Sequence, residues 1–235
     1  MTAREKKSEN LTFGEKVIRF QETLTLPSNL PHGVAAIYPY ANTTARELFR
    51  TFFSTFFNDT YDRVFIIGIN PGRFGSGVTG IPFTDPVALR VHCNIRSELT
   101  ERQELTSQFI YSCIEEWGGA QAFYRDFFLT AVSPVGFVKD GVNFNYYDSP
   151  EFLERIKPFV VQALKEQLAF GTRRTAIVLG MGKNHKVFAE LNNTYSFFDT
   201  VLPLEHPRFV MQYRRKQLPE YVKKYTDTFA RALAR

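Results

Sequence analysis

Residues 68–83, GINPGRFGSGVTGIPF, follow the apolar run Val64-Phe65-Ile66-Ile67 and place five glycines, two prolines and one asparagine in sixteen positions. Three chemistries use such a stretch. A P-loop needs lysine directly after its last glycine. Gly72 and Gly77 have the right gap, but Val78 follows them, so nothing reaches the β/γ-phosphates. A dinucleotide fingerprint is spelled at Gly75, Gly77 and Gly80. That motif must close a strand and open a helix, so that the pyrophosphate meets the helix N-terminus. Here the strand ends near Ile69, five residues too early, and Pro82 and Pro86 suit an irregular loop better. The third chemistry is contact with a planar base. Asn70 lies at a strand's carboxyl end, and Pro71 restricts its backbone, so the amide is held. Gly72, Gly75 and Gly77 let backbone approach a ligand closely. Phe83 offers a ring for stacking. The plainer alternatives are a turn-capping Asn70 and a core Phe83, one of twenty-four phenylalanines.

Other chemistry-bearing residues are few. Cys93 and Cys113 form neither a C-x-x-C nor a Cys/His cluster. This argues against zinc or an iron–sulfur centre and for two reduced thiols in an intracellular protein. His206 stands beside Pro207 and, taken alone, reads as a turn histidine. Lys183, in GMGKNH after the third strand, reads as a bland position at a helix start. The net charge is +5. Residues 206–235 hold eight Lys/Arg against two acids, whereas the other 205 residues hold 21 against 22. A basic surplus confined to the last thirty residues suits one face for a polyanion; a solvated amphipathic helix is the alternative. The charged N-terminus MTAREKKSEN has no apolar stretch, and no run approaches the ~20 residues of a membrane span. A cytoplasmic, non-membrane protein is expected.

The elements that must position these residues follow from apolar periodicity. Four short apolar runs, 64–69, 127–132, 175–179 and 197–202, read as strands. Between and before them lie helical patterns at 13–24, 43–57 (capped by Thr43 or Thr44), 104–117, 150–170 (broken near Pro158) and 185–191. Strands alternating with helices imply a parallel sheet covered on both faces. With no repeat and no linker, residues 1–235 read as one domain, with residues 1–10 disordered. In such sheets ligands sit beyond the strands' carboxyl ends. Those ends carry Asn70-Pro71-Gly72, Ser133-Pro134, Gly180-Met181-Gly182-Lys183 and Glu205-His206-Pro207.

The opening stretch resembles the first motif of the uracil-DNA glycosylase superfamily. It is most like that of the single-strand-selective monofunctional (SMUG-type) branch, in a bacterial subfamily, where the motif runs G-M-N-P-G-P-F-G-M-x-x-T-G-V-P-F. Gly68, Asn70, Pro71, Gly72, Phe74, Gly75, Thr79, Gly80, Pro82 and Phe83 match. HPRF, starting at His206, resembles the second motif, H-P-S-P-R-N, and ELTSQFIYSCIEEWGG resembles the helix between them. The resemblance covers about residues 60–215. It implies an α/β/α sandwich around a four-stranded parallel sheet.

The implied function is DNA base-excision repair, by hydrolysis of the N-glycosidic bond of a deaminated base flipped out of the stack. Asn70 would orient water at C1′, and His206 would donate to the base O2, where charge develops. Phe83 would stack on the base, and Gly68, Gly72 and Ser133 would line its pocket. Arg208, Phe209, Met211, Arg214, Arg215 and Lys216 would meet DNA, with Phe209, Val210 or Met211 as the wedge. No metal or other cofactor is expected, and a monomer, reaching the nucleoid through its DNA. Two departures stand out. HPRFVMQYR lacks the second Pro and the Arg-Asn of its motif. Ala131 stands where the family has the asparagine of N-L-C-P that reads the uracil edge. Asn145, ahead of Asn143, is the candidate substitute reader, and a range extending to a deaminated purine such as xanthine is expected. Two other functions compete: a catalytically silent nucleic-acid-binding module, disfavoured because Asn70 and His206 are both kept, and a nucleotide-binding enzyme using the glycine triplet.

Overall fold

The computed structural model describes residues 11–234. The expectation for residues 1–10 lies outside them. Among the described residues no helix is long and apolar enough to cross a membrane.

Four parallel strands form the central sheet: β2 (Arg63–Gly68), β3 (Phe127–Ala131), β6 (Thr172–Leu179) and β7 (Thr200–Leu204), in the order β3-β2-β6-β7. Every residue of β2 and β3 is buried, as expected when helices cover both faces. On one face, Phe13 of α1 (Phe13–Thr23) stands edge-on to Phe65 and Phe128, and α7 (Pro150–Leu168) and α8 (Lys183–Tyr195) pack beside it. On the other, α5 (Leu105–Glu116), α6 (Gly119–Asp126) and α10 (Leu218–Leu233) meet Phe127 through Phe123 and Phe229. The result is the expected three-layer α/β/α sandwich. Arg63 opens β2 fully buried. Its guanidinium forks onto Asp59 at 2.9 and 2.8 Å, donates to the Tyr124 carbonyl at 2.7 Å, and lies 4.5 and 4.7 Å from the ring centres of Phe13 and Phe57. Each part of that charge is thereby satisfied.

Four differences from the sequence pattern stand out. Asn42, rather than Thr43 or Thr44, caps α2 (Thr43–Phe56), its side chain accepting from Ala45 N at 3.3 Å. Helix α7 continues through Pro158. Pro158 and Glu154, whose carbonyl loses its partner there, both face solvent, so the missing bond is met by water. The fourth strand begins at Thr200, because Phe197 and Phe198 are spent on core packing and Asn192 ties down the Phe198 backbone. As an edge strand, β7 tolerates Pro203.

The fourth difference is a second sheet. β1 (Val34–Ile37), β4 (Gly136–Lys139) and β5 (Val142–Phe144) form a small antiparallel sheet, joined between β4 and β5 by Asp140-Gly141, both at positive φ. Its β4–β5 hairpin delivers Asn143 and Asn145 to the end of β2.

Candidate active site

A cavity of about 690 Å³ opens beyond the carboxyl ends of β2, β3 and β7. Asn70, Gly72, Phe83, Ala131, Asn145, His206 and Arg208 line it. Sequence reasoning placed these residues on separate strand ends and loops; the fold brings them into one space.

Asn70 is clamped by the hairpin. Its Oδ1 accepts from Tyr146 N at 3.0 Å, and its Nδ2 donates to Phe144 O at 3.4 Å and Pro71 O at 3.3 Å. A backbone N–H on one side and carbonyls on the other allow only one orientation of the amide. Oδ1 keeps a second lone pair. Behind this clamp Tyr146 is fully buried, donates to Asn184 Oδ1 at 2.8 Å and packs on Tyr147. Asn143 Oδ1 accepts from Arg73 N at 3.0 Å and so pins the loop at Gly72. Gly77 is required here, since a Cβ on it would lie 2.1 Å from the Gly72 carbonyl.

Phe83 adopts φ +54°, a conformation rare for an aromatic residue. Two features hold it there. Thr79 Oγ1 donates to Thr84 O at 2.6 Å and accepts from Ile81 N at 3.1 Å, which closes the loop on both sides of the ring. The ring then sits where a Cβ on Gly68 would be, 2.6 Å from it. Gly68 therefore makes room for Phe83 from behind and does not itself line the cavity, a correction to its expected contact. Phe83 and His206 have ring centroids 6.1 Å apart.

His206 caps α9 (Pro207–Tyr213), its Nδ1 accepting from Arg208 N at 3.2 Å. Burial, with Arg208 adding to it, pushes the imidazole down to about 4. The ring is thus neutral at physiological pH. Because a backbone amide can only donate, Nδ1 holds a lone pair and the proton resides on Nε2.

Ser133 is wholly buried, its Oγ donating to Val135 O at 2.7 Å within its own turn, so it is not available to a substrate. Asn145 reaches the cavity from a turn in which its N and Nδ2 both donate to Asp148, at 2.8 and 3.3 Å. The segment after His206 is helix α9. Val210 and Met211 are buried against the core, which removes both as wedge candidates and Met211 as a DNA contact. Their side of the helix faces α5. Phe209 is exposed, with Tyr213 at 5.5 Å and the Arg214 guanidinium over its ring; Arg208, Arg215 and Lys216 are also exposed.

Sequence reasoning missed Phe74, Arg102 and Glu104 as residues of the cavity mouth. No motif marks Arg102, and Glu104 entered only as the first residue of ELTSQFIYSCIEEWGG; they arrive from a loop and the start of α5. Burial raises the Glu104 carboxyl, against the opposing pull of Arg102 and Arg208. Lys183 begins α8 with its Nζ over the Tyr147 ring, and among the described residues no lysine lines the cavity. Cys93 and Cys113 are free and buried. Among the described residues no three His, Cys, Asp or Glu form a group that could hold a metal.

The model of the uracil DNA glycosylase superfamily matches residues 55–230. The crystal structure of wild-type Pedobacter heparinus SMUG2 is similar throughout: TM-score 0.91 and 39% identity, covering 94% of this chain and 97% of that one. No curated protein matches in sequence. The chain belongs to the uracil DNA glycosylase superfamily, and its fold is that of a DNA repair glycosylase of the SMUG type.

Proposed function

We propose that the protein is a monofunctional glycosylase that removes uracil, and a deaminated purine such as xanthine, from DNA and leaves an abasic site. One observation carries the reading: His206, whose Nδ1 accepts from Arg208 N and so leaves Nε2 to donate, shares one cavity with a fixed Asn70 amide and the Phe83 ring. Bond cleavage develops a cationic sugar and an anionic base. A neutral donor toward the base O2 stabilises that anion without first surrendering a proton. The free lone pair of Asn70 Oδ1 orients water toward C1′. An amide is too weak a base to do more, which suits a dissociative step. Phe83 stacks on the base, and the glycine backbone at Gly72 allows it close. Water as nucleophile agrees with a cavity lacking lysine.

DNA meets the exposed side of α9. Phe209 is the wedge, and Arg208, Arg214, Arg215 and Lys216 hold phosphates. Neutralising Arg214 and Arg215 together is expected to weaken binding to every sequence alike. Log affinity plotted against log salt should become shallower by about one to two units. An unchanged slope would put the DNA surface elsewhere.

Base range is tested with oligonucleotides carrying uracil, hypoxanthine or xanthine, single-stranded and duplex, followed by alkaline cleavage. Ala131 offers no amide to the base edge, and a site without such a contact rejects analogues weakly. Excision of uracil and of at least xanthine is expected. Asn145, whose Oδ1 accepts no hydrogen bond from the described residues, is the substitute reader. Asn145→Ala should reduce excision and change the ratio between bases. A ratio left untouched, in an enzyme confined to uracil, would assign recognition to another group.

A further inference from the structure

We infer that Arg102, laid on the ring of Phe74 at the cavity mouth, is a phosphate clamp for the DNA strand whose base enters the site. The inference rests on the glycosylase reading for its occupant, and on four observations for its geometry. Arg102 and Phe74 both line the cavity mouth, and both are exposed. The Arg102 Cζ lies 3.7 Å from the Phe74 ring centroid, close enough for the guanidinium to rest on the ring. Arg102 is unspent: its neighbour Glu101 is taken by Arg90 at 2.5 and 3.1 Å, and among the described residues no acceptor takes a hydrogen bond from the Arg102 guanidinium. Arg73, on the same ring at 5.2 Å, is by contrast tied to the Gly141 carbonyl.

An arginine side chain in water samples many rotamers, and fixing it normally costs affinity. Phe74 reduces that cost by holding the guanidinium near one position before DNA arrives. The N–H fork, which donates to no acceptor among the described residues, has the planar geometry that matches two phosphate oxygens. Glu104, on the same rim, feels the charge of both Arg102 and Arg208 and so offsets part of the repulsion between the two guanidiniums.

The test is binding of an undamaged single-stranded oligonucleotide, followed by fluorescence anisotropy from 50 to 300 mM salt for wild type, Arg102→Ala, Arg102→Lys and Phe74→Ala. Arg46→Ala, which removes one exposed charge on α2 away from the cavity, is the reference. Arg102→Ala is expected to weaken binding roughly tenfold and flatten the salt slope by ~0.7, one phosphate's worth for single strands. Arg102→Lys and Phe74→Ala keep the charge, so both should retain the slope and still lose affinity by about threefold. On a uracil oligonucleotide the half-saturating concentration should rise in the same order. Arg102→Ala that behaves like Arg46→Ala overturns the clamp, as does a wild type that does not bind DNA. Binding to undamaged DNA involves no chemistry. A wild type that binds but excises no base would therefore overturn the proposed reaction and leave the clamp to be judged on these slopes.

Discussion

Asn70→Ala is expected to lower the single-turnover rate of base excision by about 10²-fold or more, while DNA affinity stays near that of the wild type. The amide acts on water and touches no phosphate, so its loss falls on the chemical step. The geometry adds a complication, since Asn70 also holds Tyr146 N and Phe144 O of the hairpin. Alanine leaves both groups unpaired at a partly buried position, and a fall in thermal stability corresponding to about 1–2 kcal/mol should accompany the kinetic loss. Asn70→Asp separates the two effects. It keeps an oxygen for Tyr146 N–H and for the water, and gives up the donor to Phe144 O and Pro71 O. It should recover more of the rate than of the stability. A rate close to wild type in Asn70→Ala would remove the mechanism proposed here.

His206→Ala should slow the same step by roughly 3 kcal/mol, the worth of one positioned donor to a developing oxyanion. The pH profile is the sharper readout. In the folded protein the imidazole titrates at about 4, below its ordinary 6.5, because burial and then Arg208 disfavour the charged form. The ring therefore stays neutral as pH falls from 8 through 6.5, and the excision rate should show no inflection there. At lower pH a proton must enter Nδ1, which costs the Arg208 amide its acceptor. The sign for stability is the same. The unfolded chain takes up this proton near 6.5 and the folded chain only near 4, so the contribution of His206 is present above 6.5 and is lost as pH falls toward 4. A rate that rises as pH drops through 6.5 would instead mean that the imidazolium is the working acid. A change confined to substrate affinity would reduce His206 to a binding or capping residue.

The sheet and its covering helices were legible because buried parallel strands are continuous apolar runs and the helices have apolar stripes. The runs at 64–69 and 127–132 fall within a residue of β2 and β3 for that reason. The antiparallel sheet was not legible, since its strands are three or four residues long and Val142 is exposed. Its one local signal was Asp140-Gly141, the turn that suits a two-residue hairpin. Motif spacing pointed to Asn70, Phe83 and His206. It could not show that Tyr146 N fixes the Asn70 amide or that Arg208 N sets the His206 tautomer, because both partners are backbone atoms without sequence identity. Ser133, Gly68 and Met211 were misjudged for one reason: a residue's place at a strand end or on a helix does not reveal which way its side chain turns. Arg102 was invisible because its partner is an aromatic ring twenty-eight residues away.

The central claim is hydrolysis of a glycosidic bond in DNA by water. It is tested most directly by incubating wild-type protein, in excess, with a single-stranded oligonucleotide holding one uracil, and measuring free uracil and strand breaks before and after alkali. The account predicts free uracil in an amount equal to the alkali-revealed breaks, with no break before alkali. Absence of free uracil would contradict base excision, and breaks that appear before alkali would contradict water as the nucleophile.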